Sequence, residues 1–299
     1  MFLLAACGDS TTGGDDAGGQ GLSAVSISGD LGKEPEVAWD EELSPEELES
    51  EVLIEGDGPT LEDGQKVFTR IWIGNGFSQT EAYSTFGKDA PPDLLTVGGD
   101  LSAAIKAGVE GQTLGSRVAV AAPPEDAFGA AGNSQLGIGN GDPVLFVIDV
   151  LSLLPGGPSG SDEKPASWAP AIVGDEEPTA LDFAGTPEPS GKLRLTTLIQ
   201  GDGAPTEKDQ TVYVDYLGQV YDGEEPFDAS YERDEPLSFP LGGGQVIKGW
   251  DEALEDLPVG SRVLLEVPPE QGYGEAGNKK AGIEGTDTLY FVIDVLAAV

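Results

Sequence analysis

The sequence predicts an α+β protein with two tandem domains, each a curved antiparallel β-sheet wrapped on one short helix. Three observations support this fold class. An internal repeat covers most of the chain, hydrophobic residues alternate in several strand-length segments, and only one stretch of the second copy has helical spacing. A chain of 299 residues has room for two domains with full hydrophobic cores.

The internal repeat has a constant offset. Residues 54–58 recur at 199–203, 115–118 at 260–263, and 146–150 at 291–295, so each pair lies 145 positions apart (199 − 54 = 260 − 115 = 291 − 146). A constant offset indicates two copies that align without a net gap. We therefore predict a first domain over 23–153 and a second over 165–299, joined by an exposed Pro/Gly/Ser-rich linker at 154–164.

The second copy shows which elements the domain contains. Alternating residues predict three strands with one face directed inward, and these residues are Val212, Val214 and Tyr216, then Val263, Leu265 and Val267, then Leu289, Phe291, Ile293 and Val295. Trp250, Leu254 and Leu257 have the i, i+4, i+7 spacing of a helix that ends before Pro258. Several strands and a single short helix predict a sheet with one face covered by that helix.

Composition excludes several classes of function. The chain has no histidine and one cysteine, which excludes Ser-His and Cys-His triads and a zinc site, so neither metal nor cofactor is expected. The net charge of −39 argues against nucleic-acid binding and against direct binding to anionic lipids. Solubility and a halophilic source would both explain this charge.

The first residues resemble the end of a bacterial lipoprotein signal. The Leu-Ala-Ala-Cys sequence at 4–7 precedes a Gly/Asp/Ser/Thr-rich stretch at 8–21 that is typical of a flexible tether. We interpret residues 1–22 as a truncated signal and tether, with Cys7 as the lipid anchor; the alternative is a chance exposed cysteine. This interpretation predicts an extracytoplasmic protein that is held at the bacterial cell membrane only through lipid on Cys7.

The second copy resembles the FKBP-type peptidyl-prolyl cis-trans isomerases from Thr211 to the C-terminus. The resemblance is carried by the order of its motifs: a strand, Phe-Asp at 227–228, a Gly-rich turn at 242–244, Val-Ile-Lys-Gly-Trp at 246–250, Gly-Tyr-Gly at 272–274, and a final strand that contains Phe291. The first copy keeps the strands and turns of this pattern. The resemblance therefore implies two tandem FKBP-like domains and an enzyme that rotates X-Pro bonds.

The resemblance also implies the residues of the site. Catalytic roles fall on Tyr216, Asp228, Trp250 and Tyr273, and substrate-binding roles on Phe227, Arg233, Leu237, Val246, Ile247, Ile283 and Phe291. Trp250 is expected to form the floor beneath the substrate proline, while the Ile247 N–H and the Tyr273 hydroxyl hold the substrate's carbonyl groups. Leu237, where the family often has an aromatic residue, weakens the expectation of a macrolide ligand, and Gln245 stands at a position that is acidic in the family.

Three hypotheses for the function of the second copy remain open at this point. It is an isomerase acting on proline-containing, unfolded or extracytoplasmic proteins, a non-catalytic proline-peptide-binding or chaperone-like module, or a structural repeat whose cleft is filled by its own side chains. In the first copy, the equivalents of Tyr216, Phe227, Asp228, Ile247, Trp250 and Tyr273 are Ile71, Ala82, Tyr83, Ser102, Ile105 and Phe128. We therefore expect the first domain to have little or no isomerase activity.

Overall fold

The chain divides into two compact units, Met1–Ser152 and Leu153–Val299. The computed structural model describes residues 20–87, 90–233 and 235–299. Cys7, the predicted lipid anchor, lies outside these residues. None of the helices within the described ranges is long and apolar enough to cross a lipid bilayer.

The first unit is built on a six-stranded antiparallel sheet of order β3-β7-β8-β4-β5, in which β6 also pairs with β4. A separate hairpin, β1–β2, precedes it. The strands are β1 (Val25–Ser28), β2 (Glu36–Trp39), β3 (Glu49–Ile54), β4 (Lys66–Asn75), β5 (Thr80–Ser84), β6 (Asp93–Thr96), β7 (Arg117–Ala122) and β8 (Val144–Leu153), and the helices are α1 (Ala103–Val109) and α2 (Pro124–Ala127).

The second unit contains a seven-stranded antiparallel sheet of order β14-β13-β17-β16-β12-β9, in which β15 pairs with β13. The hairpin β10–β11 again stands apart. The strands are β9 (Gly160–Asp162), β10 (Ala171–Val173), β11 (Ala180–Asp182), β12 (Arg194–Gly201), β13 (Thr211–Val220), β14 (Asp228–Ala229), β15 (Leu237–Pro240), β16 (Arg262–Val267) and β17 (Leu289–Ala298), and the helix is α3 (Lys248–Ala253).

The central strands of the two units begin at matching positions. β4 and β13, β7 and β16, and β8 and β17 each start 145 residues apart (211 − 66 = 262 − 117 = 289 − 144). Each unit also contains a buried Arg–Asp ion pair at the same offset, with Nε–Oδ1 distances of 2.6 Å for Arg117–Asp149 and for Arg262–Asp294. Both pairs are bidentate, which is the strongest geometry for such a pair.

In the second unit, both faces of the sheet are buried. One face carries a core that includes Trp250 and Phe291, and the other carries Leu217, Leu264 and Tyr290. The expectation of a single inward face was therefore wrong, because the segment around Trp168 and the β10–β11 hairpin cover the second face. Alternation identifies the two faces of a strand but does not show whether another segment covers the more polar one.

Helix α3 is shorter than its hydrophobic spacing predicts. It ends at Ala253, and Leu257 packs against the core from outside the helix. Buried Thr206 provides the reason: its hydroxyl donates to the Leu254 carbonyl at 2.5 Å and accepts from the Leu257 N–H at 3.1 Å. Hydrogen bonds of this kind compete with the next turn of the helix and end it.

The predicted linker at 154–164 contains a strand of the second unit. β9 pairs with β12, with Ser161 opposite Gln200. Gly160 makes this pairing possible, because it has φ of +149° and a Cβ there would lie 1.9 Å from the Gln200 carbonyl oxygen. The second unit therefore begins earlier than the motif pattern alone indicates.

Candidate functional site

The second unit contains a cavity of about 470 Å³, a size that is typical of small-ligand sites. Its lining residues come from strands β13, β14, β15 and β17, from the start of α3 and from the loops on either side. They are Tyr216, Phe227, Asp228, Leu237, Gln245, Val246, Ile247, Lys248, Trp250, Gly272, Tyr273 and Phe291. All of the residues predicted for the site are present in this set except Arg233 and Ile283.

Trp250 lies in the lining with almost no exposed surface. Its ring packs edge-on against Tyr216 and Phe291, each with centroids 5.2 Å apart, and is tilted against Phe239 at 5.9 Å. Aromatic neighbours on three sides fix the indole plane. The buried indole N–H has no hydrogen-bond partner among the described residues.

Phe227 and Phe291 stand against each other beside this indole, with centroids 5.7 Å apart at 85°. Gly218 makes this packing possible. A Cβ at Gly218 would lie 2.6 Å from the Phe227 ring and 2.8 Å from the Phe291 ring. At the same offset the first unit has Ile73 in place of Gly218 and Ala82 in place of Phe227. The first unit therefore has a branched side chain at the glycine position and no aromatic ring at the position of Phe227.

Three polar side chains form a connected network at the edge of the cavity. Arg233 donates from Nη1 to Asp228 Oδ1 at 2.7 Å and from Nη2 to the Tyr216 hydroxyl oxygen at 3.2 Å. The Tyr216 hydroxyl donates a short hydrogen bond to Asp228 Oδ2. The carboxylate is thereby held against the aromatic wall, and the guanidinium lies behind it.

The electrostatics of this network keep Asp228 ionised. Partial burial alone would raise the pKa of the Asp228 carboxyl, but hydrogen bonds from Tyr216 and Arg233 and the charge of Arg233 together hold the pKa below its usual value. Burial, with the hydrogen bond to Asp228, raises the pKa of Tyr216 to about 12. At neutral pH the edge of the cavity therefore presents a carboxylate and a protonated phenol.

The short connection between β13 and β14 places this network. The Phe227 N–H donates to the Gly218 carbonyl at 2.9 Å, and the Ser230 N–H donates to the Tyr216 carbonyl at 2.9 Å. The Ser230 hydroxyl accepts from the Tyr216 N–H at 2.8 Å and donates to Asp215 at 2.7 Å. Backbone pairing thus brings residues 216 and 228 together, although they are 12 positions apart in the sequence.

The Gly-rich turn before α3 is held by Asp251, which was not among the predicted site residues. Its carboxylate accepts from the N–H groups of Gly242 and Gly244 at 2.9 and 3.0 Å. Both glycines have positive φ, +74° and +68°, which favours glycine. The turn places Val246 and Ile247 in the lining of the cavity. Within the described residues, the Ile247 N–H donates to no hydrogen-bond acceptor.

The remaining predicted residues occupy different places. Tyr273 lines the opening of the cavity and is 38% exposed, and Leu237 stands on the rim. Arg233 lies behind Asp228 and outside the cavity, whereas Ile283 is buried in the core and does not reach the cavity surface. Lys248, which lines the cavity, was not predicted, because a lysine in a helical segment carries no signal that separates it from an ordinary surface residue.

The equivalent positions in the first unit have other surroundings. Ser102 is the N-cap of α1 and its hydroxyl accepts from the Ile105 N–H at 3.4 Å. Phe128 packs against Phe146, with ring centroids 6.2 Å apart. Tyr83 is 37% exposed, and burial of its ring raises its pKa. The first unit therefore has neither a carboxylate nor an indole at these positions.

The fold and the cavity define a class of protein: a domain of antiparallel strands with few helices and an aromatic-walled site that carries a carboxylate at its edge. The sequence profile of the FKBP-type peptidyl-prolyl cis-trans isomerases matches residues 202–296. An FK506-binding protein from Streptomyces anulatus is 40% identical over 121 residues, which is 40% of this chain and 97% of that protein. The chain belongs to the FKBP-type peptidyl-prolyl cis-trans isomerase family.

Two further comparisons match part of the chain. FkpA from Escherichia coli K12, an FKBP-type peptidyl-prolyl cis-trans isomerase, is 45% identical over 96 residues. The matched part is 32% of this chain and 34% of FkpA, so the chain spans about a third of that relative. The crystal structure of AtFKBP13 is 31% identical and covers 37% of this chain and 96% of its own, with a TM-score of 0.34.

Proposed function

We propose that the second unit catalyses rotation about X-Pro bonds in exported proteins and that the first unit contributes little or no isomerase activity. The observation that carries this proposal is the Tyr216–Asp228–Arg233 network at the edge of a cavity walled by Trp250 and Phe291. The open cavity also argues against a purely structural repeat, whose cleft would be filled by its own side chains.

The chemistry of prolyl isomerisation suits such a site. Rotation about a peptide bond faces a barrier of roughly 18–20 kcal/mol, because twisting the bond removes amide resonance. The twisted amide has a less polar carbonyl than the planar one, so an apolar cavity favours it relative to water. Fixed polar groups that bind the twisted amide more strongly than the planar one lower the barrier further.

Each side chain then has a defined role. Trp250 supports the proline ring, and Phe227 and Phe291 enclose it. The Ile247 N–H and the Tyr273 hydroxyl bind substrate carbonyl groups, while Asp228 faces the twisting amide. No nucleophile is needed, because no covalent bond is made or broken.

The first unit is best explained as a divergent FKBP-like domain. Its central strands and its buried Arg117–Asp149 pair match those of the second unit at a constant offset. Its side chains at the positions of the site, such as Tyr83 and Ile105, do not supply the polar network or the aromatic floor. Its role is spacing, or capture of unfolded chains.

Location and ligands complete the proposal. Lipid on Cys7 would hold the protein at the outer face of the bacterial cell membrane, in reach of proline-containing extracytoplasmic proteins. The relative from S. anulatus is an FK506-binding protein by name, so a macrolide of that class is a candidate ligand of the same cavity. Leu237 on the rim argues for weaker macrolide binding than an aromatic residue would give.

Mass spectrometry of the full-length precursor after expression in a bacterial host tests the lipid anchor. An unmodified Cys7 in the mature protein would contradict it.

The proposal that only the second unit is an active isomerase is tested with fragments 20–152 and 153–299 in a proline-limited refolding assay. Circular dichroism and a cooperative thermal transition serve as folding controls for both fragments. We expect the second fragment to accelerate the slow refolding phase, which lasts about 10–100 s without catalyst, and the first to leave it nearly unchanged. Equal acceleration by both fragments would contradict the proposal, and peptide binding without acceleration by the second fragment would favour the non-catalytic module.

A further inference from the structure

A second groove of about 420 Å³ adjoins the catalytic cavity. It shares Phe227 and Asp228 with that cavity, so the two spaces lie on either side of the same two residues. Its other lining residues include Pro178, Thr179, Glu225, Pro226, Glu232 and Arg233.

One wall of the groove comes from outside the segment that matches the family. Pro178 and Thr179 precede strand β11, whereas the family match begins at residue 202. Pro178 is buried. The Thr179 N–H donates to the Val173 carbonyl at 2.8 Å and closes the β10–β11 hairpin.

Two buried side chains fix this hairpin against the sheet. Gln219 accepts from the Leu181 N–H at 2.8 Å and donates to the Leu181 carbonyl at 3.1 Å. Arg262 donates from Nη2 to the Glu176 carbonyl at 2.7 Å while it pairs with Asp294. The wall is therefore attached to β13, which also lines the cavity, and to β16.

The groove combines apolar walls with an unneutralised negative charge. Glu225 and Glu232 are exposed, and in the described part of the chain neither carboxylate has an ion-pair partner. Arg233 is the cation of the lining, and it is already paired with Asp228 at 2.7 Å. The groove therefore presents two carboxylates that have no ion-pair partner in the described part of the chain, together with the partly exposed apolar residues Pro226, Phe227 and Ala229.

We propose that this groove is a subsite for the substrate segment that flanks the isomerised X-Pro bond, and that it selects a lysine or arginine side chain there. The alkyl stem of such a side chain packs on the apolar walls while its charged end meets the carboxylates, a combination that neither an acidic nor a short polar side chain offers. The proposal rests on the proposed isomerase function of the second unit.

The test uses the full chain and a series of peptides with one Leu-Pro bond. Lysine, norleucine or glutamate is placed in turn at each of the few positions on either side of that bond, and exchange NMR measures the isomerisation rate without a protease. At one position we expect kcat/KM for lysine to exceed that for norleucine by about fivefold and to fall toward it at high salt, because exposed ion pairs are weak and screened. Norleucine should in turn exceed glutamate at that position.

Two pairs of variants separate the groove from the overall charge of the protein. Glu225→Gln with Glu232→Gln should abolish the lysine preference and leave the rate for the norleucine peptide unchanged. Glu207→Gln with Glu255→Gln removes the same charge from exposed positions of the second unit that line neither space, and should keep the preference. Thr179→Lys, compared with Thr179→Gln, should reverse the preference if the hairpin forms the wall.

The outcomes are distinguishable. If the norleucine peptide is not isomerised at all, the proposed function fails. If it is isomerised but no position favours lysine, or if both double variants lose the preference equally, the subsite is overturned and any charge effect belongs to the whole molecule. Preference for glutamate would overturn it as well.

Discussion

Asp228→Ala should lower kcat/KM by about tenfold while the second unit stays folded. Asp228 accepts hydrogen bonds from the Tyr216 hydroxyl and from Arg233. In the proposed mechanism these bonds hold the carboxylate against the twisting amide, and we take its contact with that amide at the low end of the range for charged groups, about 1.5 kcal/mol, because 42% of the Asp228 side chain is exposed. A loss of about 1.4 kcal/mol from the transition state corresponds to about a factor of ten in rate.

The effect on stability should be small by comparison. The Arg233–Asp228 pair is about half exposed, and such pairs contribute about 0.2–1 kcal/mol. Thermal denaturation followed by circular dichroism measures this effect, and rates are measured well below the transition. The control is Glu255→Ala, which removes the same charge from an exposed position of the same unit and should leave both kcat/KM and the denaturation curve unchanged.

Peptide binding decides between an enzyme and a binding module. Isothermal titration with a Leu-Pro peptide gives its affinity for each variant. In an enzyme, Asp228→Ala lowers kcat far more than it weakens binding, and Tyr273→Phe, which removes only a hydroxyl, does the same to a smaller extent. A folded Asp228→Ala variant that keeps more than half of the wild-type kcat/KM would falsify the role given to this carboxylate.

Three further predictions follow from the same contacts. Gly218→Ala should lower kcat/KM and destabilise the second unit by about 1–3 kcal/mol, because its Cβ would displace the Phe227 ring; unchanged peptide turnover would contradict the packing. Asp149→Asn should destabilise the first unit by about 3–5 kcal/mol in urea denaturation, because Arg117 is left buried and unpaired, whereas Asp30→Asn, at an exposed pair, should leave the curve unchanged. The rate should be constant around neutral pH and fall only in acid, below the usual aspartate pKa, since Tyr216 and Arg233 hold the pKa of Asp228 under that value and the carboxylate protonates as the pH drops through it; a decline that persists in Asp228→Ala would assign it to another group.

Much of the candidate site could be found in the sequence, because its residues are unusual for a core. An aspartate directly after Phe227 and a tyrosine between two glycines are poor choices for filling an interior, and they stand in a fixed order with Trp250. The family resemblance implied that Arg233 would fix the Asp228 carboxylate, whereas the hydrogen bond from Tyr216 to Asp228 became known only from the structure. Alternation alone puts Tyr216 on one face of a strand and leaves its hydroxyl without a partner.

Other parts of the site gave no local signal. Asp251 holds the Gly-rich turn from within the following helix. An aspartate is common in the first turn of a helix because it interacts favourably with the helix dipole, so its presence does not indicate that it also binds the preceding turn. Gly218 resembles any glycine in a strand until the two rings that it accommodates are known. Their contributions depend on groups that are distant in sequence.

The constant offset and the ordered set of motifs are properties of the chain itself, so the sequence could predict two copies, the class of their elements and the family before any tertiary contact was known. Only the folded structure shows that the segment around Trp168 and the β10–β11 hairpin cover the second face of the sheet, that Thr206 ends the helix early, and that the same hairpin forms a groove beside the cavity. Each of these features results from contacts between segments that are distant in the sequence. Hydrophobic periodicity within one segment does not indicate which distant segment it contacts. Burial and hydrogen bonding between such segments are defined only once the chain has folded.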